Sequence, residues 1–568
     1  MTDSSPYDLI VVGSGGGGLC AALTAAASGA SVLVLEKTAQ LGGSTAMSGG
    51  VLWIPDSQPA ERAGAADSFE EGMRYFESVV GDAGPASSLA RREAFIKKGR
   101  ELLAFLESEG VGFQFCEGYS DYYDERPGGK ARGRVLKAPM LPSGELKDWY
   151  PKLRQFGGWA LPVNTDEFHS LTLVKRTWGG KMTALRLSGR VLRERLTRQR
   201  LLCRGAAVQG RMLLAALRRN VPLWTDAAVE DFVLEGGQVR GVQVRHASGR
   251  REELRARYGV VVDPGGFARN PEMRKRFHPQ PSLPSWSASN PGDTGEILEK
   301  VMALGAATDM LDEAIWIPIS VLPDGTIGGF HNPHDQAKPF SIMVDAKGQR
   351  FVNEASSYME VGQAMYRAGV PAWAILESRH RRYYSWGSTP PGKTPPEWQS
   401  SGYMRSADSL DALARACGID AAGLAETVSR FNGYARSGRD EQFSRGARAY
   451  DRYYADSSHG PNPGLGAIER PPFYAVQIYP GDVGTFGGLM TDEHGCVLRP
   501  DASRIEGLYA TGNCTASVMG RTYPGAGASI AASFIFGYTA VKNALAIASR
   551  SAPPSSTRAQ GTAPAHSK

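Results

Sequence analysis

Cysteine is scarce in this sequence, at 6 of 568 residues, and no two cysteines are spaced as Cys-x-x-Cys. Zinc sites and iron–sulfur clusters are built from closely spaced thiolates, so we expect no metal site. A disulfide framework would also be sparse for a chain of this length. We therefore expect reduced thiols in a cytoplasmic protein.

The sequence also lacks long apolar stretches and a strong excess of basic or acidic residues. No stretch long enough to cross a bilayer is free of polar side chains, and no basic segment followed by an apolar one opens the chain. Neither a transmembrane helix nor a signal peptide is therefore expected. The 64 basic and 58 acidic residues leave a net charge of +6. Without a recognised binding module, this balance does not indicate a nucleic-acid partner.

Glycine is abundant, with 68 residues, and its sharpest cluster is Gly13-Ser-Gly-Gly-Gly-Gly18. The cluster follows an apolar strand (7–12) and precedes an alanine-rich helix (19–28), after which a second strand (31–35) ends at Glu36. Glycines in a G-x-G-x-x-G turn let backbone N–H groups approach a diphosphate, and a carboxylate after the second strand can accept from ribose hydroxyls. The segment predicts a βαβ dinucleotide site.

Four further motifs bear on which dinucleotide is bound, and the first of them favours FAD over NAD. They are Gly42-Gly-Ser-Thr-Ala-Met-Ser-Gly-Gly50, Asn290-Pro-Gly-Asp-Thr-Gly295, Gly348-Gln-Arg-Phe-Val-Asn-Glu354 and Gly507-Leu-Tyr-Ala-Thr-Gly-Asn513. In this order they resemble the flavoprotein family of fumarate reductases and 3-ketosteroid dehydrogenases. Asp263-Pro-Gly-Gly266 departs from that family, which more often has Ala or Thr before the two glycines.

The resemblance implies an α/β fold: a Rossmann-like, discontinuous FAD-binding domain with an inserted α+β catalytic domain. Covalently flavinylated relatives carry a histidine in the loop after the first βαβ unit, where this chain has Gly43 and Ser44, so we expect non-covalent FAD. The cofactor-binding residues implied are Gly13, Gly15, Gly17, Gly18, Glu36, Lys37, Gly43, Ser44, Thr45, Ser48, Gly49, Gly50, Val229, Asp293, Gly512, Asn513, Ser529 and Ile530.

The C-terminal string Met519-Gly-Arg-Thr-Tyr-Pro-Gly-Ala-Gly527 bears on the substrate. Aligned with fumarate reductases, it has Met519 and Tyr523 where those enzymes hold a dicarboxylate with histidine and arginine. A dicarboxylate needs fixed cations, whereas a phenol suits a neutral carbonyl. Tyr-Pro-Gly-x-Gly resembles the motif of 3-ketosteroid Δ1-dehydrogenases. The resemblance implies that the Tyr523 hydroxyl and the Gly527 N–H bind the steroid C3 ketone.

Two more tyrosines match motifs of the same family. Asn353-Glu-Ala-Ser-Ser-Tyr358 resembles its Asn-Glu-Ser-x-Pro-Tyr, with serine in place of proline, which implies Tyr358 as the base. Asp121-Tyr122-Tyr123 resembles its Asp-Tyr-Tyr element, which implies that Tyr122 assists the base; Tyr123 is the alternative. Phe330 is expected as an apolar wall for the substrate.

The implied function is FAD-dependent 1,2-dehydrogenation of 3-ketosteroids. Tyr358, assisted by Tyr122, would take the C2 proton while a hydride passes from C1 to flavin N5, and Tyr523 with the Gly527 N–H would polarise the ketone. The alternatives are a 3-ketosteroid 4-dehydrogenase or another ketone-directed flavin enzyme, a fumarate-reductase-like flavoenzyme, and a flavin-containing binding protein without turnover. Because cluster and haem motifs are lacking, the expected electron acceptor is a diffusible quinone-like molecule.

The domain prediction assigns residues 1–311 and 484–550 to the FAD-binding domain, 312–483 to the catalytic domain and 551–568 to a disordered tail. A basic, aromatic insertion is expected at about 134–204. Between residues 175 and 220 there are 13 Lys or Arg and one acidic residue, Glu194, interleaved with leucines. One interpretation is a peripheral membrane contact through 147–220, at the inner face of the membrane. The other is a solvated basic helix face.

Overall fold

A computed structural model describes residues 6–156, 161–331 and 333–551. Almost all of the predicted tail, residues 552–568, lies outside the described residues. The strands are β1 Leu9–Val12, β2 Val32–Leu35, β3 Val51–Trp53, β4 Gln114–Phe115, β5 Val135–Lys137, β6 Leu141–Pro142, β7 Leu201–Leu202, β8 Leu223–Trp224, β9 Ala227–Glu235, β10 Gln238–His246, β11 Arg251–Arg255, β12 Val260–Val262, β13 Thr308–Asp309, β14 Ala314–Val321, β15 Ile327–Phe330, β16 Ser341–Val344, β17 Ala372–Leu376, β18 Met404–Ala407, β19 Phe473–Thr485, β20 Gly488–Leu489, β21 Cys496–Leu498 and β22 Arg504–Ala510. The helices are α1 Gly16–Ala27, α2 Gly43–Met47, α3 Gln58–Arg62, α4 Phe69–Val79, α5 Leu89–Ser108, α6 Thr165–Thr172, α7 Trp178–Thr197, α8 Arg204–Arg218, α9 Pro271–Phe277, α10 Glu296–Ala303, α11 Pro333–Gln336, α12 Tyr358–Ala368, α13 Ser378–Tyr383, α14 Pro396–Ser400, α15 Leu410–Cys417, α16 Ala421–Ser437, α17 Ala449–Tyr454 and α18 Ala528–Ser551.

The first sheet has the strand order β21-β22-β12-β1-β2-β8, and its β22, β12, β1, β2 and β8 run parallel. The central strands are wholly apolar and buried, as expected where helices cover both faces of a parallel sheet. The predicted βαβ unit is confirmed. Its helix α1 begins at Gly16, earlier than the predicted start at Leu19, because Gly16, Gly17 and Gly18 form the first helical turn.

This sheet is built from distant parts of the chain, since β13 to β21 all intervene in sequence between β12 and its parallel neighbour β22. The C-terminal helix α18 then packs against α1. Helix α18 is apolar and long enough to cross a membrane by length and composition, but 61% of its most apolar window is buried inside the protein. The predicted α/β fold class with a discontinuous Rossmann-like unit is confirmed.

A second sheet lies in the region predicted as the catalytic insert. Its order is β15-β14-β19-β17-β16, with β18 also paired to β19, and every pair is antiparallel. Strand β19 ends at Thr485 and so crosses the predicted boundary at 484. The domain boundaries themselves stay predictions.

The predicted basic insertion, apart from residues 157–160, which lie outside the described part, contains two helices. Helix α6 is started by a capping box in which Asn164 and Glu167 exchange hydrogen bonds. Arg190 of α7 makes a bidentate ion pair with Glu167, at 2.7 Å for each bond, which fixes α7 against α6. The described part of the insertion therefore contains two α-helices packed against each other, besides the short strands β5, β6 and β7.

Candidate active site

A cavity of about 1450 Å³ lies between the first sheet and the second sheet. Its wall runs from the glycine turn after β1, past the three predicted catalytic tyrosines, to helix α6 and the β15 hairpin. Pockets for one drug-sized ligand usually measure about 300–1,000 Å³. The volume therefore leaves room for a dinucleotide and a second molecule side by side.

The glycine turn is shaped to hold a ligand against bare backbone. Gly13 has φ +101°, and a β-carbon there would lie 2.1 Å from the carbonyl oxygen of Asp263. Gly15 precedes α1, whose N-terminal amides and dipole favour an anion. Gly17 and Gly18 do not line the cavity: they face Ser533 and the Gly13 carbonyl, so their absent side chains serve close packing.

The remaining predicted cofactor residues share the wall of this cavity. They are Gly13, Gly15, Glu36, Lys37, Gly43, Ser44, Thr45, Ser48, Gly49, Gly50, Val229, Asp293, Gly512, Asn513, Ser529 and Ile530. A bare glycine turn at a helix N-terminus, followed by a carboxylate at the end of β2, fits the diphosphate and ribose of FAD.

Two of these residues are already engaged with protein partners. Glu36 is buried and accepts hydrogen bonds from the hydroxyls of Ser14, at 2.7 Å, and Thr38, at 2.9 Å. The Lys37 ammonium pairs with Glu296 and donates to Thr294 Oγ1 at 2.8 Å. Glu36 is thus oriented before any ligand arrives, and Lys37 is held in place by an acid.

The predicted catalytic tyrosines come together although they are far apart in sequence. The ring centre of Tyr358 lies 5.7 Å from Tyr122 and 5.4 Å from Tyr523, and Tyr122 lies 5.9 Å from Tyr523. All three rings line the cavity. Tyr123, the alternative to Tyr122, does not line it and neighbours Ser357 and Glu360 instead.

Backbone hydrogen bonds set the relative positions of two of these motifs. The Tyr122 N–H donates to the Pro524 carbonyl at 2.9 Å, and the Tyr75 hydroxyl donates to the same oxygen at 2.8 Å. Asp121, fully buried, accepts from Trp53 Nε1 at 2.8 Å and pairs with Arg134. Tyr122 is thereby held directly beside the string that contains Tyr523.

Tyr358 is the first residue of α12, and the residues before it act as anchors. Asn353 Nδ2 donates to Asp451 of α17 at 3.1 Å. Glu354 is buried and forms ion pairs with Arg350, at 2.7 Å, and Arg445, at 3.2 Å. The polar part of this motif therefore positions Tyr358 and does not itself face the cavity.

Gly527 lies where only glycine fits. Its φ is +89°, and a β-carbon would sit 1.9 Å from the Val51 carbonyl oxygen. The Tyr523 and Ser529 hydroxyls are 2.9 Å apart, and the Ser529 N–H lies 3.5 Å from the Tyr523 oxygen. The Gly527 N–H points to the same phenol and acts to lower its pKa. Several donors thus converge on one point at the start of α18.

Burial dominates the electrostatics of the tyrosine cluster. It raises the pKa of Tyr122 and Tyr358 well above their usual value, and the neighbouring phenols add to the effect. Burial also raises the pKa of Tyr523, against the lowering influence of Ser529 and Gly527. All three phenols are therefore neutral at pH 7 before ligands bind.

A cation clamp for a dicarboxylate is missing at the aligned positions. Met519 is fully buried in the apolar core. Arg521, the arginine of the C-terminal string, pairs with Asp312 at 2.8 Å and with Glu313 at 3.0 Å, and it does not line the cavity. The site offers phenols and amides at this end, which suit a neutral carbonyl.

The opposite end of the cavity is apolar and aromatic. Phe330, the predicted wall residue, lines it and lies 6.0 Å from Phe156, ring centre to ring centre. Further lining side chains come from Ile317, Ile327, Leu161, Phe168, Leu171 and Val174. This surface matches a rigid hydrocarbon skeleton rather than a small polar acid.

Sequence reasoning missed Tyr450, on α17. Its ring lies 4.6 Å from Tyr122 and lines the cavity, and its buried hydroxyl has no hydrogen-bond partner among the described residues. Asp124 fixes this helix by accepting from the backbone amides of Ala449 and Tyr450, at 3.0 Å each. The only available signal was the tyrosine-rich string around residue 450, which matched none of the motifs considered.

Comparisons with known proteins identify the family of the chain. Residues 8–530 match the FAD binding domain family. The chain is 36% identical to the 3-oxosteroid 1-dehydrogenase of Mycolicibacterium smegmatis over 96% of this chain and 98% of the relative. It is 33% identical to the 4-oxocyclohexanecarboxylate 2-dehydrogenase of Sinomonas cyclohexanicum, over 95% and 93%.

A solved structure shows the same relationship. The 3-ketosteroid Δ1-dehydrogenase of Sterolibacterium denitrificans, crystallised with 1,4-androstadiene-3,17-dione, superposes with a TM-score of 0.88 at 36% identity, covering 96% of this chain and all of that one. The prediction of FAD as cofactor is confirmed; its non-covalent attachment stays a prediction. The chain is an oxidoreductase that belongs to the FAD-binding flavoprotein family that includes the 3-oxosteroid 1-dehydrogenases.

Proposed function

We propose that the protein catalyses the FAD-dependent 1,2-dehydrogenation of 3-ketosteroids. The observation that carries the proposal is the meeting of Tyr358, Tyr122, Tyr523 and the Gly527 N–H in one cavity with the dinucleotide turn. The relatives that act on 3-oxosteroids cover almost the whole chain and support the same reaction.

The roles of the residues follow from their chemistry. The Tyr523 hydroxyl and the Gly527 N–H donate to the C3 ketone and stabilise negative charge that develops on its oxygen. This charge acidifies C2, whose proton passes to the Tyr358 oxygen, and Tyr122 beside it relays that proton onward. FAD, when bound, supplies the two-electron acceptor for the hydrogen that leaves C1.

Anaerobic mixing of the FAD-loaded protein with androst-4-ene-3,17-dione tests the reaction. We expect bleaching of the flavin absorbance and a product with a new C1–C2 double bond. A saturated 5α-3-ketosteroid in parallel identifies a 4-dehydrogenase by a double bond at C4. A lack of bleaching with every 3-ketosteroid would contradict the proposal, as would faster reduction by 4-oxocyclohexanecarboxylate, the substrate that names a 33% identical relative.

We also propose that α7 contacts a membrane surface, which would let an insoluble steroid enter from lipid at the cytoplasmic face. Trp178, Leu185, Leu192 and Leu196 are 58–76% exposed. They recur at seven-residue and four-residue steps, so they share one side of the helix. Basic residues flank them, namely Lys181, Arg186, Arg193 and Arg195. Exposed apolar residues with basic flanks are typical of interfacial helices.

Co-sedimentation with vesicles tests this contact. We expect binding to vesicles that contain anionic lipid and weaker binding to neutral ones. The double variant L185D/L192D should lose the binding, whereas L89D, a change at a residue 65% exposed on α5, should keep it. Equal binding by the two variants would contradict the role of α7.

Electron transfer out of the protein is proposed to use a diffusible quinone-like acceptor. Within the described residues there is no group of His, Cys, Asp or Glu that could hold a metal ion, so no relay is offered there. Steady-state turnover with a soluble naphthoquinone, compared with oxygen alone, tests the proposal. A quinone that leaves the rate unchanged would contradict it.

A further inference from the structure

Asp263 belongs to the segment that departs from the resembled family, and it lies against the glycine turn after β1. It follows β12, where its N–H donates to the Val12 carbonyl at 2.8 Å. Its Oδ2 accepts the Gly18 N–H at 2.7 Å. A β-carbon on Gly15 would lie 2.6 Å from Oδ2, and one on Gly512 would lie 2.1 Å from Oδ1. The carboxyl group is thus wedged between two glycines that line the FAD cavity.

One role of this side chain is to complete the start of α1. The helix begins after Gly15, which has no side chain to accept a hydrogen bond from the first turn. Asp263 takes that place from the neighbouring strand through its bond to Gly18. The hydrogen bond to Gly18 explains the position of Oδ2. The other oxygen, Oδ1, is directed at Gly512.

A negative charge here has unfavourable surroundings. The side chain is almost fully buried, and the carboxylates of Glu36 and Asp293 face it. Cys20 of α1 and Cys514 also face it, and their thiols are neutral because burial raises their pKa. Burial, with the two acids, raises the pKa of Asp263 to about 7 against the lowering effect of the Gly18 N–H. The diphosphate of FAD would bring two more negative charges to the same turn.

We propose that Asp263 binds FAD in its protonated form, with Oδ1–H donating to the cofactor's diphosphate while Oδ2 keeps the Gly18 amide. Above neutral pH the free protein holds this group mostly ionised, so binding must take up one proton from solvent. The affinity for FAD then falls by about tenfold per pH unit above the midpoint. Alanine at this position would show neither effect.

Two measurements on the apoprotein test the proposal without turnover. FAD binding, followed by flavin fluorescence from pH 6 to pH 9, should give a Kd that is level near pH 6 and rises about tenfold per unit at the alkaline end. Neither the diphosphate diester nor the oxidised flavin titrates across most of this range. Calorimetry at pH 8 in buffers of different ionisation enthalpy should give an uptake of about one proton per FAD.

Variants test whether Asp263 is the residue that takes up the proton on FAD binding. Asp263→Asn keeps an N–H donor, but its amide group does not ionise. The Kd of this variant for FAD should therefore match wild type near pH 6 and stay the same up to pH 9. Asp263→Ala should likewise lose the pH dependence and bind FAD more tightly than wild type at pH 9. The matched control is Glu313→Gln, a buried acid outside the cavity whose pKa is also raised by burial; it should keep the wild-type slope.

Three results would overturn the proposal. They are a wild-type proton uptake near zero at pH 8, an alkaline rise in Kd that persists in Asp263→Asn, and loss of that rise in Glu313→Gln. If the Asp263 variants fail to fold, a wild-type proton uptake near zero still overturns the proposal. Because the readout is FAD binding, failure here would leave the proposed steroid reaction untouched, and failure of that reaction would leave this result standing.

Discussion

Replacing Tyr358 with phenylalanine removes one hydroxyl from a cluster whose ring packing it leaves intact. The ring would keep its neighbours Tyr122 and Tyr523, at 5.7 and 5.4 Å. A side chain that acts as general base contributes about 10²–10⁴-fold to a rate. We therefore expect Y358F to lower the rate of flavin reduction by at least a hundredfold, while the midpoint of thermal unfolding changes little.

The dependence of the rate on pH is a second test of Tyr358 as the base. Burial, followed by the neighbouring phenols, raises the pKa of Tyr358 well above its usual value. Even the unperturbed pKa of about 10 leaves only about one phenolate in a thousand at pH 7. A base of this kind acts only when deprotonated, so the wild-type rate should climb with pH from 7 to 9, by up to about tenfold per unit. The residual rate of Y358F should not climb.

Anaerobic stopped-flow measurement of flavin bleaching by a saturating 3-ketosteroid isolates the relevant step. Tyr434→Phe, a change on α16 outside the cavity, is the matched control and should behave as wild type. A loss smaller than tenfold in Y358F would refute the assignment of the base. A pH slope that survives in Y358F would refute it equally, since another group would then be titrating.

Three further predictions concern neighbouring residues. Gly527→Ala should lower the flavin-reduction rate by about 10²-fold or more and lower the thermal midpoint, because its β-carbon would meet the Val51 carbonyl at 1.9 Å and its N–H would be displaced; a wild-type rate would contradict this. Tyr450→Phe should leave the thermal midpoint level or higher, since an unpartnered buried hydroxyl costs about 1–3 kcal/mol, and a lower midpoint would reveal a hidden partner. Arg521→Met should leave kcat/KM for the steroid within about threefold, because Arg521 faces Asp312 and not the cavity; a large rise in KM would mean that it reaches the substrate.

Local sequence patterns predicted the dinucleotide unit well. The β1–α1–β2 segment is short, its strands are uniformly apolar and its turn needs glycine, so every signal lies in one continuous piece of chain. The start of α1 was misplaced because glycine has a low helix propensity, and the three glycines of its first turn read as loop. Packing decides their conformation: a β-carbon on Gly18 would meet the Gly13 carbonyl.

The sequence predicted the second sheet only as part of an α+β insert, and it did not predict where the strands of this sheet begin and end. Prolines normally indicate an edge strand or a loop. Here Pro318 of β14 lies opposite Pro480 of β19, inside the antiparallel pairing of these two strands. The partners lie at opposite ends of the insert in sequence, so no local pattern announces them. The sequence could therefore indicate that a residue on this sheet, such as Phe330 on β15, contacts the substrate, but it could not indicate where in the cavity that residue lies.

One contact shows why the tyrosines work as a group and why sequence alone could not show it. C2 and C3 of a ketone substrate are adjacent atoms, so the group that takes the C2 proton and the donors on the C3 oxygen must keep a fixed separation. A misplacement of about 1 Å can cost about 10²-fold in rate. The Tyr122 N–H bond to the Pro524 carbonyl, at 2.9 Å, joins two motifs that are remote from each other in sequence. Because backbone atoms make this bond, side-chain patterns carry no trace of it, although it fixes where Tyr523 stands relative to Tyr122, the residue beside the base.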